Sequence, residues 1–204
     1  MKIAIDIDDT LNEAHKCASI LLKPFCDTYG LDYQPLRPEY QYIKQQFTDW
    51  SQEMIKKFDS YEFPFVVRES SVKPNVLASL NELISMGHEL YIVTRRNPFY
   101  VSKNSDYHGY KMVRDTYAWI KDKKLPFDKD HIIFGINNKA EYCKANGFNV
   151  LIDDCGEQAR LCHENNFPMV LMTQPFNQHL LNEYDNLISC TNWNQIPEII
   201  SNIK

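Results

Sequence analysis

The sequence predicts an α/β protein: a Rossmann-like, doubly wound parallel sheet with a small helical cap inserted after the first strand. Three observations carry that expectation. The chain begins on an almost unbroken apolar run, "KIAIDI" from residue 2, as a strand buried on both faces should read. From residue 74 onward, short β-type runs alternate with helix-like segments, the pattern of repeated strand–helix–strand units. Residues 13–72 break that rhythm and read as helices alone. The expected division is an α/β core from 1–12 and 73–204, and a helical cap from 13–72. At 204 residues the chain is long enough to bury a good core.

The strand at 2–7 should be central in the sheet. In the cap, Ala14, Cys17, Ala18, Leu21, Leu22, Phe25, Cys26 and Tyr29 recur at helical spacing up to Gly30, with a kink expected at Pro24. A second cap helix is expected to start at Asp49, Gln52 completing a capping box, and to carry Trp50, Met54, Ile55 and Phe58. Pro74 to Met86 reads as a helix with Val76, Leu77, Leu80, Leu83 and Ile84 on one face and Gly87 at its end. Strand "ELYIVT" (89–94), a helix near 111–124 stopped by Pro126, and strand "HIIFG" (131–135) follow. A short helix from Lys139 to Asn146, strand "FNVLID" (148–153), a helix near 157–166 and strand "PMVLM" (168–172) continue the alternation. The tail should close as a helix with Ile196, Ile199, Ile200 and Ile203 inward.

Net charge of −5 without any Lys/Arg block argues against coating nucleic acid or binding a membrane through a polybasic patch. Six cysteines without a CxxC pair read as buried, reduced thiols. With no signal peptide and no apolar run of membrane-spanning length, a reducing cytoplasm is the expected location.

In open α/β sheets, ligands bind at the carboxyl ends of the strands. The first strand delivers Asp6, Asp8 and Thr10 there; the second delivers Thr94, then Arg95 and Arg96. The third is followed by Asn137, Asn138 and Lys139, and the fourth ends in Asp153 and Asp154. Converging carboxylates are costly to bury unless a cation compensates them. Mg²⁺ favours oxygen ligands, usually one or two carboxylates with water and a phosphate oxygen. An ionised aspartate can then attack phosphorus and split one hard displacement into two easier ones. A hydroxyl and an ammonium can neutralise the remaining phosphate oxygens.

The order and spacing of these elements resemble the haloacid dehalogenase superfamily of aspartate-nucleophile phosphatases. "DIDDT" resembles its DxDxT motif, "LYIVT" its strand-plus-Thr motif, and "VLIDD" its terminal acidic pair. The resemblance implies Asp6 as nucleophile and metal ligand. It implies Asp8 as general acid and base, its backbone carbonyl touching the metal and its carboxyl pKa held up by its surroundings. Asp153 would complete an Mg²⁺ site, and Asp154 would orient Lys139 or a metal-bound water. Asp9 departs from the pattern, where glycine is common. The small cap and the segments "TYAWIKDKKLPFDKDHIIFG" and "NNKAEYCKANGFNVLIDD" look like the 5′(3′)-deoxyribonucleotidase branch, implying a nucleoside monophosphate as substrate.

Other readings stay open at this level. Asp153–Asp154 alone can be a strand-to-helix turn with an N-cap. Arg95 and Arg96 are equally suited to a substrate phosphate and to cap carboxylates. Most of the rings among Phe25, Tyr29, Tyr33, Tyr40, Tyr42, Phe47, Trp50, Phe58, Tyr61, Phe63 and Phe65 should pack the cap, one or two being available to stack on a base. Rival functions are a phosphatase for a sugar phosphate or other small organophosphate, and a non-catalytic metal- or nucleotide-binding module.

Overall fold

The computed structural model describes residues 1–37, 43–101 and 106–203. Six parallel strands form one sheet: β1 (Lys2–Ile5), β2 (Glu89–Val93), β3 (Ile132–Ile133), β4 (Val150–Asp153), β5 (Met169–Met172) and β6 (Leu187–Cys190). Their order is β3-β2-β1-β4-β5-β6. β1 lies between β2 and β4, with Ile3 opposite Leu90 on one side and Val150 on the other. The strand order therefore reverses beside β1, which is where an open α/β sheet makes its ligand crevice.

Strand alternation sorts the core into two layers. Ile3, Ile5, Ile92, Ile152 and Val170 face one side. There they pack on Leu80 and Leu83 of α4 (Val76–Ser85), Trp119 and Ile120 of α5 (Gly109–Asp122), and Ile196 and Ile200 of α8 (Ile196–Asn202). Ala4, Val93, Leu151 and Leu171 face the other side, against Ala140 and Cys143 of α6 (Lys139–Ala145) and Ala159 and Cys162 of α7 (Gly156–Glu164). Both faces of the sheet are covered, as the apolar strands demand.

Residues 14–69 contribute helices: α1 (Ala14–Tyr29), α2 (Ile43–Gln46) and α3 (Gln52–Glu69). They enclose a small ring-rich core of their own, with Phe25, Phe47, Trp50 and Phe58 buried together. Phe47 and Trp50 lie 4.6 Å apart, centroid to centroid, and Phe25 meets Phe58 edge-on at 5.0 Å. α3 also packs on α5 through Val67 and Met112. Tyr40 and Tyr42 lie outside the described residues.

Several elements differ from the sequence expectation. α3 begins after Ser51, whose hydroxyl accepts the Met54 N–H at 3.2 Å, rather than at Asp49. The reason is Trp50: its N–H closes a turn on the Phe47 carbonyl, placing the indole in the cap core before the helix starts. α4 starts at Val76, because Asn75 takes a left-handed φ of 66° after Pro74. Leu77 and Ile84, expected on its buried face, are 37% and 43% exposed; Ser79 takes an inward position and donates to the Trp193 carbonyl. β3 keeps only two of its five expected residues, since Gly135 turns away at φ 77°. β6 is an additional edge strand. Its alternation is weak: Ile188 is half-buried and Ser189 exposed. α1 continues through Pro24, with Tyr29 43% exposed at its end. In the tail, Ile196 and Ile200 are buried, while Ile199 and Ile203 pack half-buried against the core. All six cysteines are buried, and none is in a disulfide; no helix among the described residues is long and apolar enough to cross a membrane.

Candidate active site

The end of β1 sets the floor of the site. Beyond Asp6 the chain turns so tightly that the Ile7 carbonyl accepts from Leu11 and Asn12 at 2.9 and 3.1 Å. This turn requires a left-handed φ of 56° at Asp9, a conformation that favours glycine. The aspartate side chain offsets that strain by tying the turn to the cap: its carboxylate accepts the His15 N–H at 2.8 Å, satisfying an unpaired donor in the first turn of α1. Thr10 is fully buried and donates to Asp154 at 3.2 Å. Among the described residues it is not one of those that line the cleft.

Lys139 opens α6, whose Asn138 side chain caps Glu141 N–H at 3.1 Å. Gln158 of α7 fixes that corner by accepting the Lys139 backbone N–H at 3.1 Å and donating to the Asn137 carbonyl at 2.9 Å. The lysine ammonium, 1% exposed, bridges Asp6 and Asp153, the latter at 2.6 Å. Asp153 also accepts the Cys155 N–H at 2.9 Å. Asn177 donates to the Asp154 carbonyl at 2.8 Å and so holds the end of β4.

Ligand oxygens of Asp6, Asp153 and Asp154 lie within 4.8 Å of one another, and all three residues are buried. Three carboxylates against one ammonium leave two negative charges uncompensated. The electrostatics register this imbalance. Burial, then the charges of Asp153 and Asp8, push Asp6 up to about 7 against the pull of Lys139. Burial and Asp153 raise Asp154 well above the ordinary carboxylate range. Burial alone would lower Lys139, but Asp153 and Asp6 raise it further. An oxygen-only, buried, doubly negative set fits a hard divalent cation such as Mg²⁺.

Asp8 points elsewhere. Its carboxylate receives Arg96 Nε at 3.0 Å and an Arg96 terminal nitrogen at 2.6 Å, with Asn12 Nδ2 at 3.2 Å. Arg96 is 4% exposed and is steadied by the Thr116 hydroxyl at 2.8 Å. Burial pushes Asp8 up, yet the Arg96 charge and these hydrogen bonds outweigh it and leave the carboxyl below its usual range. The raised pKa expected of a general acid is therefore not what this arrangement gives. Arg96 pairs with a core carboxylate rather than a cap one. Arg95 likewise turns to the core, pairing with Glu157 of α7 at 2.7 Å. Thr94 is 1% exposed and its hydroxyl accepts the Arg96 N–H at 3.2 Å.

Asp6, Asp8, Thr94, Arg95, Arg96, Lys139, Asp153 and Asp154 all line one cleft of about 590 Å³. The cap supplies its other wall through Asp59, Glu62 and Phe63 of α3. Tyr100 and Tyr107, between β2 and α5, join them; Phe63 meets Tyr107 edge-on at 6.2 Å. Among the described cap rings, Phe63 is the one that lines this cleft. Tyr100 and Tyr107 were missed from sequence because an irregular segment carries no periodicity to place them.

No family model matches the chain. A Bacillus cereus protein described as "Putative nucleotidase" is 26% identical over 203 residues, covering 98% of each chain. A haloacid dehalogenase-like family hydrolase from Streptococcus pneumoniae superposes with a TM-score of 0.68 at 16% identity, over 98% of this chain and 97% of that one. The fold is haloacid dehalogenase-like. A Lactobacillus delbrueckii structure described as "putative phosphoglycolate phosphatase" shares it, with a TM-score of 0.64 at 12% identity over 98% and 97% of the two chains.

Proposed function

We propose that this chain is a Mg²⁺-dependent phosphomonoesterase that uses Asp6 as nucleophile and acts on nucleoside monophosphates. The observation that carries the reading is the Asp6 carboxylate on the cleft floor, tied to Lys139 beside Asp153 and Asp154. Asp6, Asp153, Asp154 and the Asp8 carbonyl would hold the ion. When bound there, magnesium supplies positive charge that offsets the negative charge of the phosphate.

In the first step an Asp6 oxygen attacks phosphorus, the ester P–O bond breaks, and Asp8 gives its proton to the leaving oxygen. In the second, Asp8 takes a proton from water as that water attacks the aspartyl phosphate, releasing phosphate and regenerating Asp6. Lys139 and the Thr94 hydroxyl donate to the phosphoryl oxygens, and Thr10 positions Asp154. The Arg96 pairing opposes protonation of Asp8. A dianionic phosphate offers Arg96 a competing partner, and its arrival would free Asp8 to hold the proton. The rings of Phe63, Tyr100 and Tyr107 give a nucleobase apolar surface, and the relative matched over nearly its whole length is described as a nucleotidase.

The test is phosphate release from a panel of deoxyribonucleoside and ribonucleoside monophosphates, sugar phosphates and phosphoglycolate, with Mg²⁺ and with chelator. Release should need Mg²⁺ and be fastest with nucleotides, and Asp6→Asn should lower it by about 10³-fold or more while remaining folded. Full activity in Asp6→Asn refutes the nucleophile, and no release from any ester leaves a binding module. A second reading, a phosphatase of small organophosphates, is favoured by the fold shared with the Lactobacillus structure. Preference for those esters would select it.

A further inference from the structure

Resting on the phosphatase reading above, we infer that the cleft rejects phosphate esters whose leaving group carries a second negative charge, and that Glu62 of the cap is a determinant of that selection. Eight carboxyl side chains and three cationic ones line the cleft. Each cation is already engaged: Arg95 with Glu157, Arg96 with Asp8, and Lys139 with Asp6 and Asp153. A divalent ion on the floor would offset the two negative charges that Lys139 leaves there, with no positive charge to spare for an anionic leaving group. The cap wall adds the carboxyls of Asp59 and Glu62 to this cleft.

Glu62 stands out among these. It projects from α3 beside Phe63 and makes no hydrogen bond or ion pair among the described residues. Ionised, its carboxylate accepts from a hydroxyl or amine and meets a carboxylate on the substrate as a like charge; such a substrate is held only by keeping a proton on Glu62, which a neutral alcohol does not require. Burial, and then the charges of Asp59, Asp8 and Asp9, push Glu62 up to about 8. A carboxyl reluctant to ionise at that point reports the same unfavourable field that a substrate anion would meet. The class selected is a neutral or cationic alcohol bearing hydrogen-bond donors, with a flat or apolar face for Phe63 and Tyr107.

Glycerol 3-phosphate and 3-phosphoglycerate test this directly, being close in size and differing by a hydroxymethyl against a carboxylate. With Mg²⁺ and wild-type protein, kcat/KM should favour glycerol 3-phosphate by about tenfold or more, the difference residing in KM. Glu62→Lys should cut that ratio by about tenfold or more by lowering KM for 3-phosphoglycerate, and Glu62→Gln should cut it less. A wild-type ratio near one overturns the inference even if neither variant folds. An unchanged ratio in folded Glu62→Lys removes Glu62 from it. If instead nucleotides and both probes release no phosphate, the underlying phosphatase reading is what fails.

Discussion

The Arg96 guanidinium, itself buried, meets the half-buried Asp8 with two donors, at 3.0 and 2.6 Å. A planar fork of this kind fixes the orientation of a carboxylate as well as its charge. Lysine offers a point charge on a flexible stem and cannot also reach Thr116 along the same plane. Arg96→Lys is therefore expected to lower kcat by about tenfold or more, with Asp8 no longer held against the cleft wall; steady-state kinetics beside a thermal melt would check it, and unchanged kcat would show the clamp to be dispensable. Glu62 gives a second outcome at this scale. Its folded pKa, about 8, lies above the unfolded value of 4.5, so the folded state binds the proton more tightly. The stability tied to that proton is fully present below about pH 4.5 and is lost as pH rises through about 8. Glu62→Gln should match wild type near pH 4.5 and exceed it progressively up to about pH 8, with denaturation midpoints in chelator as the measurement.

α3 carries the cap wall of the cleft, so its ends matter to the site. Ser51 accepts the Met54 N–H with its hydroxyl while the backbone is extended at ψ 154°. Ser51→Ala should cost about 1 kcal/mol, seen as about 2–4 °C in melting for a chain of this size. A loss under about 0.3 kcal/mol would show that water replaces the cap without penalty. Elements were legible in the sequence where one periodicity dominated. β1, β2, β4 and β5 each read as continuous apolar runs because helices cover both faces of the sheet. The start of α3 was not, because the turn at 47–50 is set by where Trp50 finds its ring partners, a tertiary choice. The exposed face of α4 misled for a related reason: Leu77 and Ile84 fit the helical stripe, but the Trp193 carbonyl gives Ser79 a buried partner and turns the stripe toward it. β6 was invisible because a four-residue edge strand with exposed Ser189 offers neither a continuous run nor clear alternation.

Across the whole molecule, the polar groups at the strand ends were legible because topology does the assembling: in a parallel sheet every carboxyl end points to the same edge. The reversal of strand order beside β1 brings Asp6 and Asp153, 147 residues apart in number, under one lysine. The Asp8–Arg96 pairing and the Glu62–Phe63 wall were beyond that rule, since they depend on how the described cap helices are laid over the sheet. The same assembly makes the fold and a divalent cation thermodynamically linked. An ion held among three buried carboxylates binds the folded chain, where they are gathered, and not the unfolded one, where Asp6 and Asp153 are far apart. At one hundred times its dissociation constant such an ion adds about 2.7 kcal/mol. That corresponds to a rise of about 5–10 °C in melting temperature for a chain of this length. Asp153→Asn should abolish most of the Mg²⁺-induced rise, because it removes a charge from the centre of the cluster. Asp8→Asn should retain the rise, since that carboxylate belongs to Arg96 and only the Asp8 carbonyl would face the ion. Differential scanning with Mg²⁺, and with sodium at equal ionic strength, separates the linked effect from screening. An equal rise with sodium, or one unchanged in Asp153→Asn, would remove the ion from the cluster of Asp6, Asp153 and Asp154.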